Sequence, residues 1–577
     1  MKSMRTAMVL AAGGLVMMMA LALAVSAYRV VGKPAADAVR VAMGRGARAG
    51  AAADKADEAM AAIRPEAIRA DMRFLSDDLL EGRGTGTRGH EIAAKYMAAQ
   101  FEQMGLQPWG DAGTYFQNVP FRAARPDAGK TTLTLVRGGK EEKFEFRKDF
   151  IARGDASRAD TSVEAEVVFV GDGVTAPEQG YDDYKSVDAK GKIVAMLYEA
   201  PNFETSLKAH YSSGEVKVAN AAAHGAVGVI LLDDPILEKL YGYDEQVRDL
   251  AWPQLRWLDP QGRPNDYFTE IKGEAFLNME ATKRFFHGTG HSADEVYAAM
   301  KAGKPQSFAT GMTAQIHNVT KLEDVHSPNV VAKLEGSDPA LKDEYVVYTS
   351  HLDHLGIGEP VNGDKIYNGA LDNASGSACL LEVARALRQM NPRPRRSILF
   401  VSVTAEEAGL LGSDYFAHYP TVARSAIAAN VNMDEDQMLW PLKDIIPFGA
   451  EHSTLDDVAH EAAQRMHLGI SPDPMPDEVI FIRSDQYSFV KQGIPAVFPV
   501  PGFKSDDAKI NPAKIFAKWE ETRYHQPSDD MNQPGLDFGE AARFARFNLL
   551  VGYLVAQKTE RPTWKKGDFF GDHYGKK

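Results

Sequence analysis

The chain has 577 residues, enough for a large enzyme or for several domains. Hydrophobic residues make up 44% and charged residues 25%, a composition that excludes a collagenous, low-complexity or wholly disordered chain. The formal net charge of −14 argues against a broad nucleic-acid-binding surface, so we expect no nucleic-acid partner. The single cysteine, Cys379, excludes an intramolecular disulfide and a cysteine-rich zinc site, so any metal must be held by histidine and carboxylate side chains.

An apolar segment at the start of the chain predicts export. Basic residues precede an apolar run over residues 7–25, and small residues then suit signal-peptidase cleavage after Ala27. The run is also long enough to span a bilayer, so an uncleaved anchor in the inner membrane is the alternative. We therefore expect residues 1–27 to be a signal peptide or anchor and residues 28–67 a linker with a first helix. The rest of the chain is expected to be periplasmic or secreted, with a membrane contact only if the anchor is retained.

The remaining chain divides into three segments by its pattern. Residues 68–160 contain a turn-rich loop that opens onto an amphipathic helix. Short β runs separated by turns fill residues 161–315 and predict a self-contained, β-rich inserted domain. Strands and helices then alternate over residues 316–577, which indicates an α/β fold with a mostly parallel, mixed sheet covered by helices on both faces.

Acidic and histidine residues follow the predicted strands of this sheet. Ligands in an open α/β sheet gather outside the carboxyl ends of the strands, so these residues are candidates for one site. A turn before a helix adds Asp372, and a later polar loop adds His525. The strands at 344–349, 397–403 and 426–432 are followed by His351 and His354, by Glu406 and Glu407, and by Asp434.

Two imidazoles and three carboxylates form a ligand set that suits zinc or another divalent ion. If Asp372 bridges two ions, His351 and Asp434 complete one ion's ligands, and Glu407 and His525 complete the other's. Each ion keeps an open position for water, and a two-metal site of this kind shares a hydroxide and polarises a carbonyl.

The neighbours of these ligands have predicted supporting roles. Glu406 is the natural general base, because adjacent residues after a strand point in different directions. Asp353 is expected to accept the free ring N–H of His351, and Asp529 that of His525, which would fix each ring.

Each motif also has an ordinary structural interpretation. Histidines can be polar residues at a loop start, paired glutamates commonly form a solvated face, and Asp372 can cap a helix. Three acids at 434–436 can form a plain turn, although such a cluster directly after an apolar strand is costly without a cation. The ordered combination of all the motifs is therefore the specific signal.

Together these motifs resemble the co-catalytic zinc aminopeptidases, a family that includes bacterial leucyl aminopeptidases, aminopeptidase Y and the glutamate carboxypeptidases. The resemblance covers about residues 68–570, with 68–160 and 316–577 as two parts of a peptidase domain. It rests on Ser350-His351-Leu352-Asp353-His354, Asn368-Gly369-Ala370-Leu371-Asp372-Asn373-Ala374-Ser375-Gly376, Thr404-Ala405-Glu406-Glu407-Ala408-Gly409-Leu410-Leu411-Gly412-Ser413, Asn432-Met433-Asp434 and Tyr524-His525.

The resemblance implies the same assignment of five ligands to two zinc ions, with Glu406 as the base. It further implies a non-proline cis peptide after Asp372 and a role for Tyr524 in holding the developing oxyanion. The insertion, with its motifs at 181–184 and 191–194, looks like a protease-associated domain, which in relatives lies beside the active site. We expect it to gate or shape the substrate cleft.

The sequence departs from the family where many members read Ser-Asp-His. This chain has Arg483-Ser484-Asp485-Gln486 there, so Arg483 and Asp485 are candidates for an altered substrate contact. Arg483 either faces a substrate carboxylate, which favours carboxypeptidase or dipeptide specificity, or only pairs with a surface acid.

The leading interpretation is an exported zinc metallopeptidase that removes N-terminal residues from peptides by a metal-bridged hydroxide. A carboxypeptidase or dipeptidase would use the same metals and is the main alternative. A one-zinc acyl transfer of the glutaminyl cyclase type and a receptor-like binding module are weaker alternatives, because all five ligand positions and the base are present. Side-chain specificity and oligomeric state are not predicted.

Overall fold

The computed structural model describes residues 55–575. The predicted signal or anchor segment at 1–27 and the start of the predicted linker lie outside the described residues. Residues 55–61 are helical, and the chain from Ala62 onward forms a separate unit. No helix found within residues 55–575 is both long and apolar enough to span a bilayer.

The α-helices of the second unit range from one and a half to more than five turns. They are α1 (Pro65–Leu75), α2 (Arg88–Gln103), α3 (Thr205–Ser212), α4 (Gly214–Ala223), α5 (Pro235–Leu240), α6 (Tyr243–Asp249), α7 (Met279–Phe286), α8 (Ala293–Lys301), α9 (Gly376–Gln389), α10 (Leu411–His418), α11 (Leu455–Arg465), α12 (Gln486–Lys491), α13 (Pro512–Thr522), α14 (Phe538–Gln557) and α15 (Phe569–Tyr574).

The strands belong to two large sheets and two short hairpins. They are β1 (Gln107–Pro108), β2 (Phe116–Pro126), β3 (Thr132–Arg137), β4 (Lys140–Phe144), β5 (Phe150–Ile151), β6 (Asp160–Val170), β7 (Thr175–Ala176), β8 (Tyr181–Asp182), β9 (Ile193–Leu197), β10 (Gly228–Leu232), β11 (Gln254–Trp257), β12 (Glu274–Leu277), β13 (Ser307–Leu334), β14 (Tyr345–His351), β15 (Gly356–Val361), β16 (Asp364–Tyr367), β17 (Ser397–Val403), β18 (Ile427–Asn432), β19 (Asp444–Phe448), β20 (Gly469–Ile470) and β21 (Ala496–Pro501).

The main sheet has the order β11-β2-β13-β17-β14-β18-β21-β19-β20. Its four central strands, β17, β14, β18 and β21, run parallel, and antiparallel strands flank them. Parallel strands need both faces covered, and the sequences of β14, β17 and β18 are mostly apolar and fully buried. The predicted α/β fold with a mixed, mostly parallel central sheet is confirmed.

Both faces of the main sheet are buried under helices, as neighbouring residues of β14 show. Val347 packs in one core cluster with Phe416 of α10 and Phe489 of α12. Tyr348 points to the opposite face, where its hydroxyl donates a hydrogen bond of 3.0 Å to the carbonyl of Asn548 in α14. A Cβ atom added at Gly552 would lie 1.9 Å from that hydroxyl, so only glycine permits this close packing of helix on strand.

The second sheet is β-rich and has the order β4-β3-β13-β6-β9-β10-β12-β5. Strand β13 belongs to both sheets, because its first half pairs with β3 and β6 and its second half with β2 and β17. The predicted boundary at 315/316 thus falls inside one continuous strand, and the β3–β4 hairpin, which precedes residue 161, joins the inserted sheet. Because a continuous strand contains no turn, the sequence carries no signal for a domain boundary at this point.

Candidate active site

The predicted site residues come together at one edge of the main sheet. Strands β14, β17 and β18 are parallel neighbours, so their carboxyl ends meet at the same edge. His351 ends β14, the pair Glu406 and Glu407 follows β17, and Asp434 follows β18. The loop before α9 adds Asp372 and the loop after α13 adds His525.

Two histidine–carboxylate pairs face each other across Asp372. His351 Nε2 lies 2.9 Å from Asp434 Oδ1 and 3.2 Å from Asp372 Oδ1. His525 Nε2 lies 3.1 Å from Glu407 Oε2 and 3.4 Å from Asp372 Oδ2. The two oxygens of Asp372 therefore face different histidines, and the residues group as the bridging hypothesis predicts.

The donor set fits a divalent cation. The carboxylate side chains of Asp372, Glu406, Glu407 and Asp434 are at most 10% exposed. Throughout residues 55–575, no lysine or arginine nitrogen lies within 4.0 Å of them, and only histidines do. Ligand atoms of His351 lie within 4.8 Å of those of Asp372 and Glu407, and likewise of those of Glu406 and Asp434. Four buried carboxylates are costly without a cation, and nitrogen and oxygen ligands of this kind suit zinc.

The charges of this cluster shift the protonation equilibria of its members. Burial opposes ionisation of His351, yet Asp434, Glu406 and Asp372 hold the pKa of its imidazole well above the usual value. Burial raises the pKa of Glu406 well above its ordinary range, and the negative charges of Asp434 and Glu407 add to this effect. Glu406 is therefore a good proton acceptor within the site.

Left-handed backbone conformations position several of these side chains. Ala405 has a φ of 56° and turns the chain between β17 and the two glutamates. Glu435, next to Asp434, has a φ of 46°, and His525 itself has a φ of 52°. Non-glycine residues rarely adopt this region, and such residues concentrate at functional sites.

The Asp372 loop is held by Asp529. The non-proline cis peptide between Asp372 and Asn373 is present, as the family resemblance implies. The Asp529 carboxylate accepts the backbone N–H of Leu371 at 3.0 Å and that of Asp372 at 3.1 Å, and the side-chain amide of Gln533 at 2.6 Å. The prediction that Asp529 accepts the ring N–H of His525 is therefore wrong, because the fold brings the Asp372 loop to this carboxylate instead.

Asp353 also acts differently from the prediction. Its carboxylate accepts the backbone N–H of Glu406 at 3.1 Å and the hydroxyl of Thr85 at 3.1 Å. The ring Nδ1 of His351 donates instead to the backbone carbonyl of Asp353, at 3.1 Å. Asp353 thus orients the base-bearing turn with its side chain and the His351 ring with its main chain.

The two predicted substrate contacts have different outcomes. Arg483 donates to the Tyr524 hydroxyl at 3.1 Å and to Glu478 Oε2 at 3.2 Å, so it pairs with a surface acid and also reaches the site. The Tyr524 ring stacks on His525, with centroids 3.9 Å apart. Asp485 is fully buried, and burial raises its pKa to about 7. Its side chain lies beneath the surface, and a direct contact between Asp485 and a substrate stays a prediction.

Three further residues support the cluster and have no predicted role. His354 Nδ1 lies 2.5 Å from Glu407 Oε1, and its ring packs edge-on against His525. The Ser484 hydroxyl donates to Asp434. His354 stands in a quoted motif, but nothing in its spacing distinguishes it from a polar loop residue.

Arg83, from the glycine-rich loop, is the third of these residues. Its buried guanidinium donates to four backbone carbonyls, those of Leu75, Leu352, Asn368 and Gly369. Burial lowers its pKa to about 10, and the nearby acids, Asp372 first among them, oppose that shift. The sequence signal for this residue is an arginine between two glycines, which by itself does not reveal burial.

The segment that contains helix α6 also approaches the site. Burial raises the pKa of Asp249, at the end of α6, to about 6, while the charge of His525 lowers it and that of Glu407 raises it. Trp252 packs edge-on against Tyr367 of β16, with centroids 5.3 Å apart. The segment after α6 therefore packs against the strand that precedes the Asp372 loop.

Comparisons with known proteins agree with this geometry. Residues 329–551, which contain all five predicted ligands and Glu406, match peptidase family M28. Residues 163–250 match the PA domain. The chain therefore contains an M28 peptidase region and, before it, a PA domain. The predicted family resemblance is thereby confirmed.

Curated relatives of this chain are known from animals and yeast. "Glutamate carboxypeptidase 2 homolog" of Caenorhabditis briggsae is 26% identical over 77% of this chain and 60% of its own length. "Aminopeptidase NAALADL1" of Rattus norvegicus is 36% identical over 41% and 34%, and "Aminopeptidase Y" of Saccharomyces cerevisiae is 25% identical over 48% and 49%. The chain thus spans about a third to three fifths of the length of these relatives.

A solved aminopeptidase shares the fold. The aminopeptidase from Aneurinibacillus sp. strain AM-1 superposes with a TM-score of 0.51 over 88% of this chain and 97% of that chain, at 20% identity. At this identity the likeness shows the fold alone.

Proposed function

We propose that this M28 protein is an aminopeptidase that binds two zinc ions and hydrolyses N-terminal residues from peptides. The observation that carries the proposal is the placement of Asp372, whose two oxygens face His351 and His525 separately. His351, Asp434 and Asp372 would hold one ion, and His525, Glu407 and Asp372 the other.

The bound zinc ions would polarise the scissile carbonyl and lower the pKa of a water molecule. Glu406, whose Oε2 lies 4.0 Å from His351 Nε2, takes a proton from the attacking water as the new C–O bond forms. It passes that proton to the amine that leaves when the C–N bond breaks, and its raised pKa suits both transfers. The Tyr524 hydroxyl, held by Arg483, donates to the developing oxyanion.

Further parts of the proposal concern the rest of the chain. The inserted domain over about residues 161–315 shapes the substrate cleft, a role supported by the packing of Trp252 against Tyr367, which ends the strand before the Asp372 loop. Residues 1–27 direct export to the periplasm or the medium, either as a cleaved signal or as an anchor in the inner membrane. Peptides are the expected partners.

The test is hydrolysis of a matched panel of peptides by zinc-loaded full-length protein. The panel contains free peptides, N-acetylated peptides and C-terminally amidated peptides of the same sequence. Zinc per chain is measured by elemental analysis on the same preparation, and Glu406→Gln serves as the inactive variant. The matched control is Glu102→Gln, which removes an exposed carboxylate of α2 that is distant in sequence from the predicted ligands.

Chelator-sensitive cleavage of free and amidated peptides, but not of acetylated ones, is the expected result, with two zinc ions per chain. Cleavage of acetylated peptides combined with refusal of amidated ones would replace the proposal with a carboxypeptidase. A protein that binds two zinc ions and cleaves none of the panel would contradict the peptidase function itself.

A further inference from the structure

Polar side chains lie next to one another inside the central strands of the main sheet. Thr349 belongs to β14, and Asn430 and Asn432 belong to β18, the strand beside it. All three side chains are fully buried. Thr349 and Asn432 are partners in the parallel register, so their side chains lie on the same face of the sheet. Polar side chains are costly in such a place unless hydrogen bonds satisfy them.

Hydrogen bonds connect these three side chains to the predicted ligand Asp434. Nδ2 of Asn430 donates to Oγ1 of Thr349 at 2.9 Å, and the Thr349 hydroxyl donates to Oδ1 of Asn432 at 2.7 Å. Nδ2 of Asn432 donates at 2.7 Å to the hydroxyl oxygen of Ser484, which lies just before α12. The Ser484 hydroxyl donates in turn to Oδ2 of Asp434. This polar chain therefore runs from the interior of the sheet to the edge where the candidate active site lies.

All four hydrogen bonds of the polar chain point toward Asp434. A serine hydroxyl has one proton, and the bond that Ser484 accepts from Asn432 leaves this proton for Oδ2 of Asp434. Oδ1 of Asp434 remains directed at His351, whose Nε2 lies 2.9 Å away. Hydrogen bonds aligned in this way in a buried environment polarise one another. The chain thus fixes which oxygen of Asp434 faces the histidine.

Gln486, which stands where the sequence departs from the family pattern, supports the polar chain. Its Oε1 accepts a second, longer hydrogen bond from Nδ2 of Asn432, at 3.4 Å. Its own Nε2 donates to the carbonyl of Phe481 at 2.7 Å, and the side chain is fully buried. Gln486 therefore favours the orientation of the Asn432 amide in which the nitrogen points toward Ser484.

We propose that the polar chain orients Asp434 for zinc binding and that its members are positioning residues. Ser484 contacts Asp434 directly, whereas Thr349 and Asn430 act on it through three and four successive hydrogen bonds. The inference rests on the proposed function, because it takes Asp434 to be a zinc ligand. It goes beyond that function by making the zinc affinity depend on side chains in the interior of the sheet.

The zinc affinity of the full-length protein, measured by competition with a chromophoric chelator, tests the proposal. Ser484→Ala removes the last link, Thr349→Val removes a distant hydroxyl while keeping the shape of the side chain, and Thr349→Ser keeps that hydroxyl. The control is Thr310→Val, which removes a buried hydroxyl that donates to the carbonyl of Val167 in the inserted sheet. Thermal melts confirm that each variant is folded, and Asn430→Leu takes the place of Thr349→Val if the latter does not fold.

Ser484→Ala is expected to weaken zinc binding by about 10- to 100-fold, the usual range for a residue that orients a ligand. Thr349→Val should weaken it by about three- to tenfold, which corresponds to one hydrogen bond. Thr349→Ser and Thr310→Val should match the parent. The double variant Ser484→Ala/Thr349→Val should lose no more than Ser484→Ala alone, because the chain is already interrupted.

Parental zinc affinity in Thr349→Val, an equal loss in Thr310→Val, or losses that multiply in the double variant would overturn the proposal. A parent protein that binds no zinc would contradict the proposed function and this inference together. A parent that binds zinc but cleaves no peptide would contradict the peptidase function alone, since the affinities of the variants still decide the role of the polar chain.

Discussion

The carboxylate of Asp529 accepts the backbone N–H of Asp372 at 3.1 Å. It also accepts the N–H of Leu371, so two successive peptide groups are fixed just where the bridging carboxylate leaves the chain. Asp529 thus sets the position of Asp372 relative to both histidines, although it touches neither of the two histidine–carboxylate pairs directly. A residue that orients a ligand in this way affects metal affinity rather than the proton transfer.

Asp529→Asn is accordingly expected to weaken zinc binding by about 10- to 100-fold, the usual range for a residue that orients a ligand. The amide keeps the size of the side chain but offers only one acceptor oxygen to two N–H groups. Competition with a chromophoric chelator measures the affinity, and Asp530→Asn, one position later, serves as the control. Equal zinc affinity in Asp529→Asn and the parent would contradict this role.

We expect substitutions of the adjacent residues Glu406 and Glu407 to have different effects, because Glu406 acts as the general base and Glu407 as a metal ligand in the proposed function. Glu406→Gln should lower kcat by about 10²- to 10⁴-fold, the range for a lost general base, and leave the zinc content unchanged. Glu407→Gln should lower the zinc content, because Glu407 Oε2 is the carboxylate oxygen that faces His525, at 3.1 Å. Elemental analysis and peptide kinetics on the same samples distinguish the two, and loss of zinc from Glu406→Gln would reverse the assignment.

The fold and the central cluster were predictable because they follow from short-range rules. Parallel strands rich in buried apolar residues place the residues after them at one edge, so His351, Glu407 and Asp434 could be grouped from order alone. The central position of Asp372 could be predicted in the same way, because the turn that carries this residue lies between β14 and β17 in the sequence.

The supporting contacts were not predictable, because they depend on where distant loops meet. Asp529 is close to His525 in sequence, yet it binds the Asp372 loop, 157 residues away. Arg83 comes from a loop whose pattern reads as an exposed turn, yet it is fully buried. Asp485 is likewise fully buried, and burial of a polar side chain has no local signature.

Arg83→Met is expected to destabilise the fold by about 3–5 kcal/mol, the range for breaking a buried charged network. Methionine fills similar volume but leaves four backbone carbonyls, including those of Leu352 and Asn368, without their donor. Urea unfolding followed by circular dichroism gives the free energy, and the exposed Arg88→Gln in the same loop region should match the parent. A loss below about 1 kcal/mol would mean that water replaces the guanidinium at no cost.

The stability of the inserted domain is expected to depend on pH because the carboxyl group of Asp233 is buried. Its carboxyl is fully buried between β10 and α5, and one of its oxygens has no hydrogen-bond partner among the described residues. Burial, together with Glu238, raises its pKa to about 8. The folded state therefore binds a proton more tightly than the unfolded state, whose pKa is about 3.9, and native stability falls as the pH rises from about 4 to about 8.

Asp233→Asn removes this titration without changing the size of the side chain. The variant should lie within about 0.5 kcal/mol of the parent near pH 4, where the parent carboxyl is neutral in the folded state and only about half ionised in the unfolded state. Near pH 8 it should be more stable by about 1–3 kcal/mol, the cost of a buried polar group without a partner. Urea midpoints at the two pH values measure the difference, with Asp244→Asn on the exposed side of α6 as the control. A gain at pH 4 as large as that at pH 8 would show that packing, rather than the buried charge, is responsible.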